Sequence, residues 1–174
     1  LGDVYKRQGW HVSTTNSGVR VGILNLMGLV FVHPQLDCPF KAADEVLDKH
    51  AHEADVIVMD FHAEATSEKM AMGWHMDGRI SAVVGTHTHV PTADERVLPN
   101  GTAYISDIGM TGCYDSVIGM DYTKSLKRFV EKLPERAEVA DGHASLCAAL
   151  IDIDEKTGNS RSIERISINE APRN

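Results

Sequence analysis

Three histidines in this sequence stand where chemistry could use them. His62 follows an apolar run at residues 56–60, and His87 and His89 follow another at residues 80–85. Short apolar runs of this length suit buried strands. In open α/β sheets, ligands and catalytic groups gather outside the C-terminal ends of such strands. The spacing His87-Thr88-His89 adds a second reason, because alternate residues of an extended segment point the same way. Both imidazoles are therefore expected to face one site. Imidazole donates well to zinc, iron and manganese, so metal binding is the chemistry suggested. The competing reading is structural: buried polar groups find hydrogen-bond partners, and these rings could simply bond loop carbonyls.

Asp60, Glu64 and Asp107 lie near the same strand ends and are candidates to orient a ligating histidine through its second ring nitrogen. The alternative for each is the capping of a loop or helix. The other histidines, His11, His33, His50, His52, His75 and His143, fall in hairpins, loops or helices and read as surface or outlying groups. Met70, Met72 and Trp74 read as core packing rather than a binding platform. Covalent catalysis finds little to work with. There is no Gly-x-Ser-x-Gly elbow, and His143 near Cys147 or His33 near Cys38 does not make a catalytic pair by sequence proximity alone. Phosphate-cradling loops of the P-loop and Rossmann kinds are absent as well. A metal-assisted hydrolase is the enzyme reading that remains.

The elements that must position these residues follow from pattern. Residues 19–27 are rich in β-branched and aliphatic side chains, bounded by the turn signal Asn16-Ser17-Gly18, and read as a strand with residues 9–14 as hairpin partner. Residues 34–39 read as loop. Residues 41–54 carry apolar positions at Ala43, Val46, Leu47 and Ala51, a helical spacing. A strand at 55–60 precedes a helix opening at Thr66 as its cap, then come strands at 80–85 and 101–106 and a glycine-bearing loop. Residues 123–133 read as a helix stopped by Pro134, and residues 144–168 as a hairpin turning at 156–160. Strands alternating with helices, then a hairpin, predict a mixed α/β fold.

Bulk properties bound the class. The 174 residues suit one domain with a real core, and 43% hydrophobic with 24% charged residues is ordinary for a globular chain. A net charge of -8 argues against a protein held on nucleic acid by a basic surface. It leaves room for a small phosphorylated substrate, since bound cations could supply positive charge locally. Cys38, Cys113 and Cys147 are scattered and read as reduced thiols. The longest apolar stretch, residues 21–32, is too short to span a bilayer, so a cytoplasmic protein without a membrane partner is expected. The chain opens on Leu1 rather than Met, and residues 1–8 fit nothing that follows, so they are expected to be a foreign leader ahead of one domain at 9–174.

Longer strings carry a family resemblance. Asp60-Phe-His-Ala-Glu-Ala-Thr-Ser-Glu-Lys69, Val84-Gly-Thr-His-Thr-His-Val90 and Asp107-Ile-Gly-Met-Thr-Gly112 resemble the bacterial YmdB-like family of calcineurin-type metallophosphoesterases. The same order continues in Asp37-Cys-Pro-Phe40, Leu98-Pro-Asn-Gly-Thr-Ala-Tyr104 and Ile163-Glu-Arg-Ile-Ser-Ile-Asn169, so the likeness covers residues 9–169. It implies a β-sandwich flanked by helices, of which this chain would be the C-terminal portion. It implies a phosphodiesterase acting on 2',3'-cyclic nucleotides or related phosphodiesters, RNA ends among them, with two divalent metal ions, iron or manganese, and a homo-oligomeric full-length protein. By the same resemblance His62 and His87 would ligate one metal and His89 the other.

The family's remaining ligands, and the histidine that protonates the leaving group, come from Gly-Asp, Gly-Glu-Asn and Gly-Asn-His segments that are not convincingly present here. Leu1-Gly2-Asp3-Val4 imitates the first but sits against the family's middle. Two cations that lower the pKa of a bridging water and clamp the phosphoryl oxygens need such ligands. These residues alone are therefore expected to be inactive, and to expose sheet edges and apolar faces that favour self-association. A second departure is Leu29, where the family has Arg after Asn25-Leu-Met-Gly28. Two other readings stand beside this one: a CapA-like polymer-synthesis protein, and a non-catalytic metal-binding or regulatory module of the same fold.

Overall fold

The computed structural model describes residues 9–32 and 37–169. The leader expected at residues 1–8, His33 and the first half of the loop expected at 34–39 lie outside the described residues. Strands β1 (Gly9–Thr14) and β2 (Arg20–Met27) form the expected hairpin. Helix α1 (Pro39–His50) starts on its proline, where the missing amide costs nothing, and passes through a 3-10 turn (Ala51–Glu53) into β3 (Val56–His62). Helix α2 (Thr66–Met76) leads to β4 (Ala82–Thr86), and β5 (Arg96–Val97), β6 (Ala103–Ile105) and the short β7 (Thr111–Cys113) follow. Helix α3 (Tyr122–Glu131) and the long hairpin β8 (Ala144–Ile153) and β9 (Ser160–Asn169) complete the order.

The main sheet has strand order β1-β2-β3-β4-β6-β5, with β2, β3, β4 and β6 parallel in the centre. Alternation along these strands divides the side chains between two faces. Leu24, Leu26, Met59, Phe61 and Val83 turn to one face and are buried against Ala43, Val46 and Leu47 of α1 and Met72 and Met76 of α2. Ala82, Ala103 and Ile105 meet Ile163, Ala149 and Ile151 of the second sheet, whose order is β7-β8-β9. Two sheets packed together, with α1 and α2 on the outer face of the main sheet, make the mixed α/β fold that the pattern predicted and the sandwich that the resemblance implied. On the other face of β2, opposite Leu24 and Leu26, Ile23 and Met27 stay about two-fifths exposed.

Several expected boundaries move. Strand β3 continues through His62 and β4 through Thr86, because both keep pairing with each other in register. His62 is therefore the last residue of a strand rather than a residue beyond it. Thr66 does not cap α2: Ala65 holds that position without a side-chain bond. The helix's own first-turn acid, Glu68, reaches away to the amides of Leu29 and Val30 at 2.9 and 3.2 Å. Of the residues read as core, Met72 is fully buried while Trp74 is about half exposed. Among the described residues no helix is long and apolar enough to cross a membrane.

Candidate functional site

Parallel register places Met27, His62 and Thr86 side by side at the C-terminal ends of β2, β3 and β4. Two residues back, Asn25 lies beside Asp60. From this alignment a hydrogen-bond chain follows. Asn25 Nδ2 donates to Asp60 Oδ2 at 2.8 Å, and Thr86 Oγ1 donates to Asp60 Oδ1 at 2.8 Å. With its one hydrogen committed, the Thr86 hydroxyl can only accept from His62 Nδ1, 3.0 Å away. The chain therefore sets the His62 tautomer, with hydrogen on Nδ1 and a lone pair on Nε2. Burial, and after it the neighbouring His87, push the His62 pKa below its ordinary value and favour the neutral ring that ligates metals.

His87 is oriented from its other side. Its Nε2 lies 2.8 Å from Glu64 Oε2, and an ionised carboxylate only accepts, so this nitrogen carries a hydrogen. His87 Nδ1 then faces His62 Nε2 at 3.0 Å, with the two rings perpendicular and their centroids 4.7 Å apart. Two lone pairs at that distance repel unless a cation, a proton or a metal ion, lies between them. Nitrogens bound about 2.1 Å from one ion and at right angles sit about 3.0 Å apart. The pair thus fits two adjacent positions on one divalent ion, each ring steadied by a carboxylate, directly for His87 and through Thr86 for His62.

His89 does not follow the expected alternation. His87 has φ 114° and His89 φ 66°, so the segment is a turn and not an extended strand. The rule that alternate side chains share a face does not apply to such a backbone. His89 Nδ1 instead meets the Ile118 carbonyl at 3.0 Å, which fixes a hydrogen on Nδ1 and leaves Nε2 as its donor. Among the described residues no group of three or more His, Cys, Asp or Glu side chains is gathered to hold a metal. Glu64 cannot serve as the third donor to the His62–His87 pair because it sits behind the His87 ring.

The three acidic candidates separate in role. Asp60 and Glu64 each serve a histidine, as described. Asp107 is hydrogen-bonded to no imidazole among the described residues: it is buried, pairs with Lys69 Nζ at 2.8 Å and accepts the Thr88 amide at 2.9 Å. It acts on the backbone between the two histidines, which is the loop-capping alternative rather than a bond to a ring nitrogen. Thr86, Asn25 and Lys69 are parts of the site that the sequence reading did not single out. Strand register brings the first two together, and helix packing brings the third. At Leu29 the half-buried residue donates its amide to Glu68, a contact that does not depend on its side chain.

A profile of the family described as YmdB-like protein matches residues 3–166. The chain is 54% identical over 154 residues to a 2',3'-cyclic-nucleotide 2'-phosphodiesterase of Bacillus subtilis (strain 168), covering 88% of this chain and 58% of that protein. A crystal structure of a hypothetical protein from Thermus thermophilus superposes with TM-score 0.87 at 40% identity, covering 94% of this chain and 62% of that one. The crystal structure of a novel phosphatase from Mycoplasma pneumoniae superposes with TM-score 0.84 at 38% identity, covering 93% and 57%. The chain thus spans less than two thirds of the length of each of these relatives.

Proposed function

The chain belongs to the YmdB-like family, and from that premise we propose that it supplies the histidine side of a metal-dependent phosphodiesterase centre. The substrates proposed are 2',3'-cyclic nucleotides or related small phosphodiesters, RNA ends included, in agreement with the name of the Bacillus relative. The observation that carries this reading is the 3.0 Å approach of His62 Nε2 to His87 Nδ1, each with its second nitrogen already engaged. His62 and His87 would hold one divalent ion, iron or manganese, and His89 would offer Nε2 to a second, as the family resemblance implies. Bound cations would lower the pKa of a coordinated water and neutralise the phosphoryl oxygens. The protein's own part is orientation: Asp60 acts through Thr86 on one ring, and Glu64 acts directly on the other. On a chain of net charge -8, local cations would also be needed to attract an anionic substrate.

One observation favours a second reading, a metal-binding or regulatory module. The described residues contain two facing donors but no third donor or bridging carboxylate beside them. The two readings part in one experiment. These 174 residues are expected to take up Mn2+, seen as loss of the free-ion electron paramagnetic signal, and to lose that uptake in His87→Ala. In a protein extended to the relatives' full length, Mn2+-dependent hydrolysis of 2',3'-cyclic AMP is expected, falling more than about 100-fold in His87→Ala. Metal uptake without hydrolysis would favour the module, and no uptake at all would remove both readings.

A further inference from the structure

Lys69 on α2 and Asp107 after β6 form an ion pair whose side chains are 2% and 1% exposed. Removing two charges from water is costly, and an apolar pair of the same size is often at least as stable. The pair therefore calls for a use other than stability. Its hydrogen bonds indicate one. Asp107 Oδ2 accepts from Lys69 Nζ and from the Thr88 amide, while Oδ1 accepts from the Gly109 amide at 2.9 Å. The Asp107 amide in turn donates to Thr92 Oγ1 at 3.0 Å. Thr88 is the residue between His87 and His89, both of which hold a positive φ that side chains other than glycine rarely adopt. Such conformations persist only where the surroundings over-determine them.

The surroundings here converge on the same pair. The Lys69 stem runs past the end of β4, where a Cβ added to Gly85 would meet Lys69 Cδ at 3.1 Å and the Ser106 carbonyl oxygen at 1.7 Å. The Gly85 carbonyl accepts from the Ile108 amide at 3.0 Å. One ion pair thus ties together α2, the end of β4 and the loop after β6, at the turn that carries both histidines. Glu64, which orients His87, lies just ahead of the same helix.

We propose that Lys69 and Asp107 are positioning residues, a buried clamp on the Thr88 amide that holds the His87–His89 turn in its ligand-presenting conformation. The metal side of this inference rests on the function proposed above, while the clamp itself does not. The test replaces the pair without leaving an unpaired charge. Lys69→Met/Asp107→Leu removes the acceptor, whereas Lys69→Met/Asp107→Asn keeps a carbonyl oxygen for Thr88. Two signals are read on each, beside the melting temperature: hydrogen exchange at the Thr88 amide in metal-free protein, and Mn2+ affinity.

The Leu form is expected to melt below the unaltered chain because the Thr88 and Gly109 amides lose their acceptor, and to lose Thr88 protection and about 10- to 100-fold in Mn2+ affinity. The Asn form is expected to keep most of both. Equal protection and equal affinity in the two forms would overturn the proposal and leave the pair as packing. If the Leu form does not melt cooperatively, Lys69→Met/Asp107→Ala removes the same acceptor with less bulk and is read in the same way. An unaltered chain that binds no Mn2+ but protects Thr88, with protection lost in the Leu form, would sink the metal reading and keep the clamp. An unaltered chain with Thr88 unprotected would sink the clamp whatever the metal does.

Discussion

Thr86 decides which nitrogen of His62 is free, and it does so with a single hydroxyl. Because that hydroxyl donates to Asp60, it accepts from Nδ1 and leaves Nε2 bare toward His87. Thr86→Val keeps the shape and removes the relay. The ring of His62 should then show a mixture of tautomers in its nitrogen NMR shifts, and Mn2+ affinity should fall about 10-fold. An unchanged single tautomer would mean that the strand geometry alone orients the ring. The sequence strings around this residue carried the family resemblance, but its partner Asp60 is 26 positions away, and only strand register joins them.

At the scale of elements, the closeness of β4 to the loop after β6 governs the site. Gly85 is required by that approach, since any Cβ there would overlap the Ser106 carbonyl. Gly85→Ala should cost about 1–3 kcal/mol or more, read as a lowered melting temperature, and should loosen the histidine turn that follows. A variant melting like the original would show that the loop can step aside. A second element contact predicts an acid response. The Asp55 carboxyl, just ahead of β3, is held at about 2 by hydrogen bonds from the Arg20 side chain and then its amide. Its folded value lies below the roughly 3.9 of an unfolded aspartate, so the contribution is complete above that value and lost as pH falls through about 2. Asp55→Asn should therefore melt below the original at neutral pH and level with it near pH 2. A gap of equal size at both would take Asp55 out of the acid response.

For the molecule as a whole, the uncovered surfaces point to association. Strand β1 is an edge of the main sheet. Ile23 and Met27 lie exposed on the neighbouring strand, and α3 buries none of its residues while Phe129 is 72% and Val130 75% exposed. Unpaired edges and apolar patches of this kind are sites of pairing. Light scattering on the 174 residues should show a mass above the monomer that falls when Phe129 and Val130 are replaced by polar residues. A monodisperse monomer across the micromolar range would contradict this.

The sequence by itself determined most of the strands, the three α-helices, the α/β class and the location of His62 and His87 at strand ends, while the short β5 and β7 were not legible in it. It could do so because apolar periodicity and turn residues are local signals, and the strings at residues 60–69 and 84–90 are long enough to carry a family. Tertiary structure alone decided what those residues do to one another. The turn at His87 and His89, with its positive φ at both, overrode the alternation expected of an extended segment and sent His89 to the Ile118 carbonyl. Asp107 carried two readings in the sequence, a partner for a ring nitrogen or a loop cap, and only folding put it on the Thr88 and Gly109 amides, while Lys69 was hidden in a helix recognised by its helix-forming residues. Hydrogen-bond partners across strands and the strain of a single residue have no local period, so they exist only once the chain has folded.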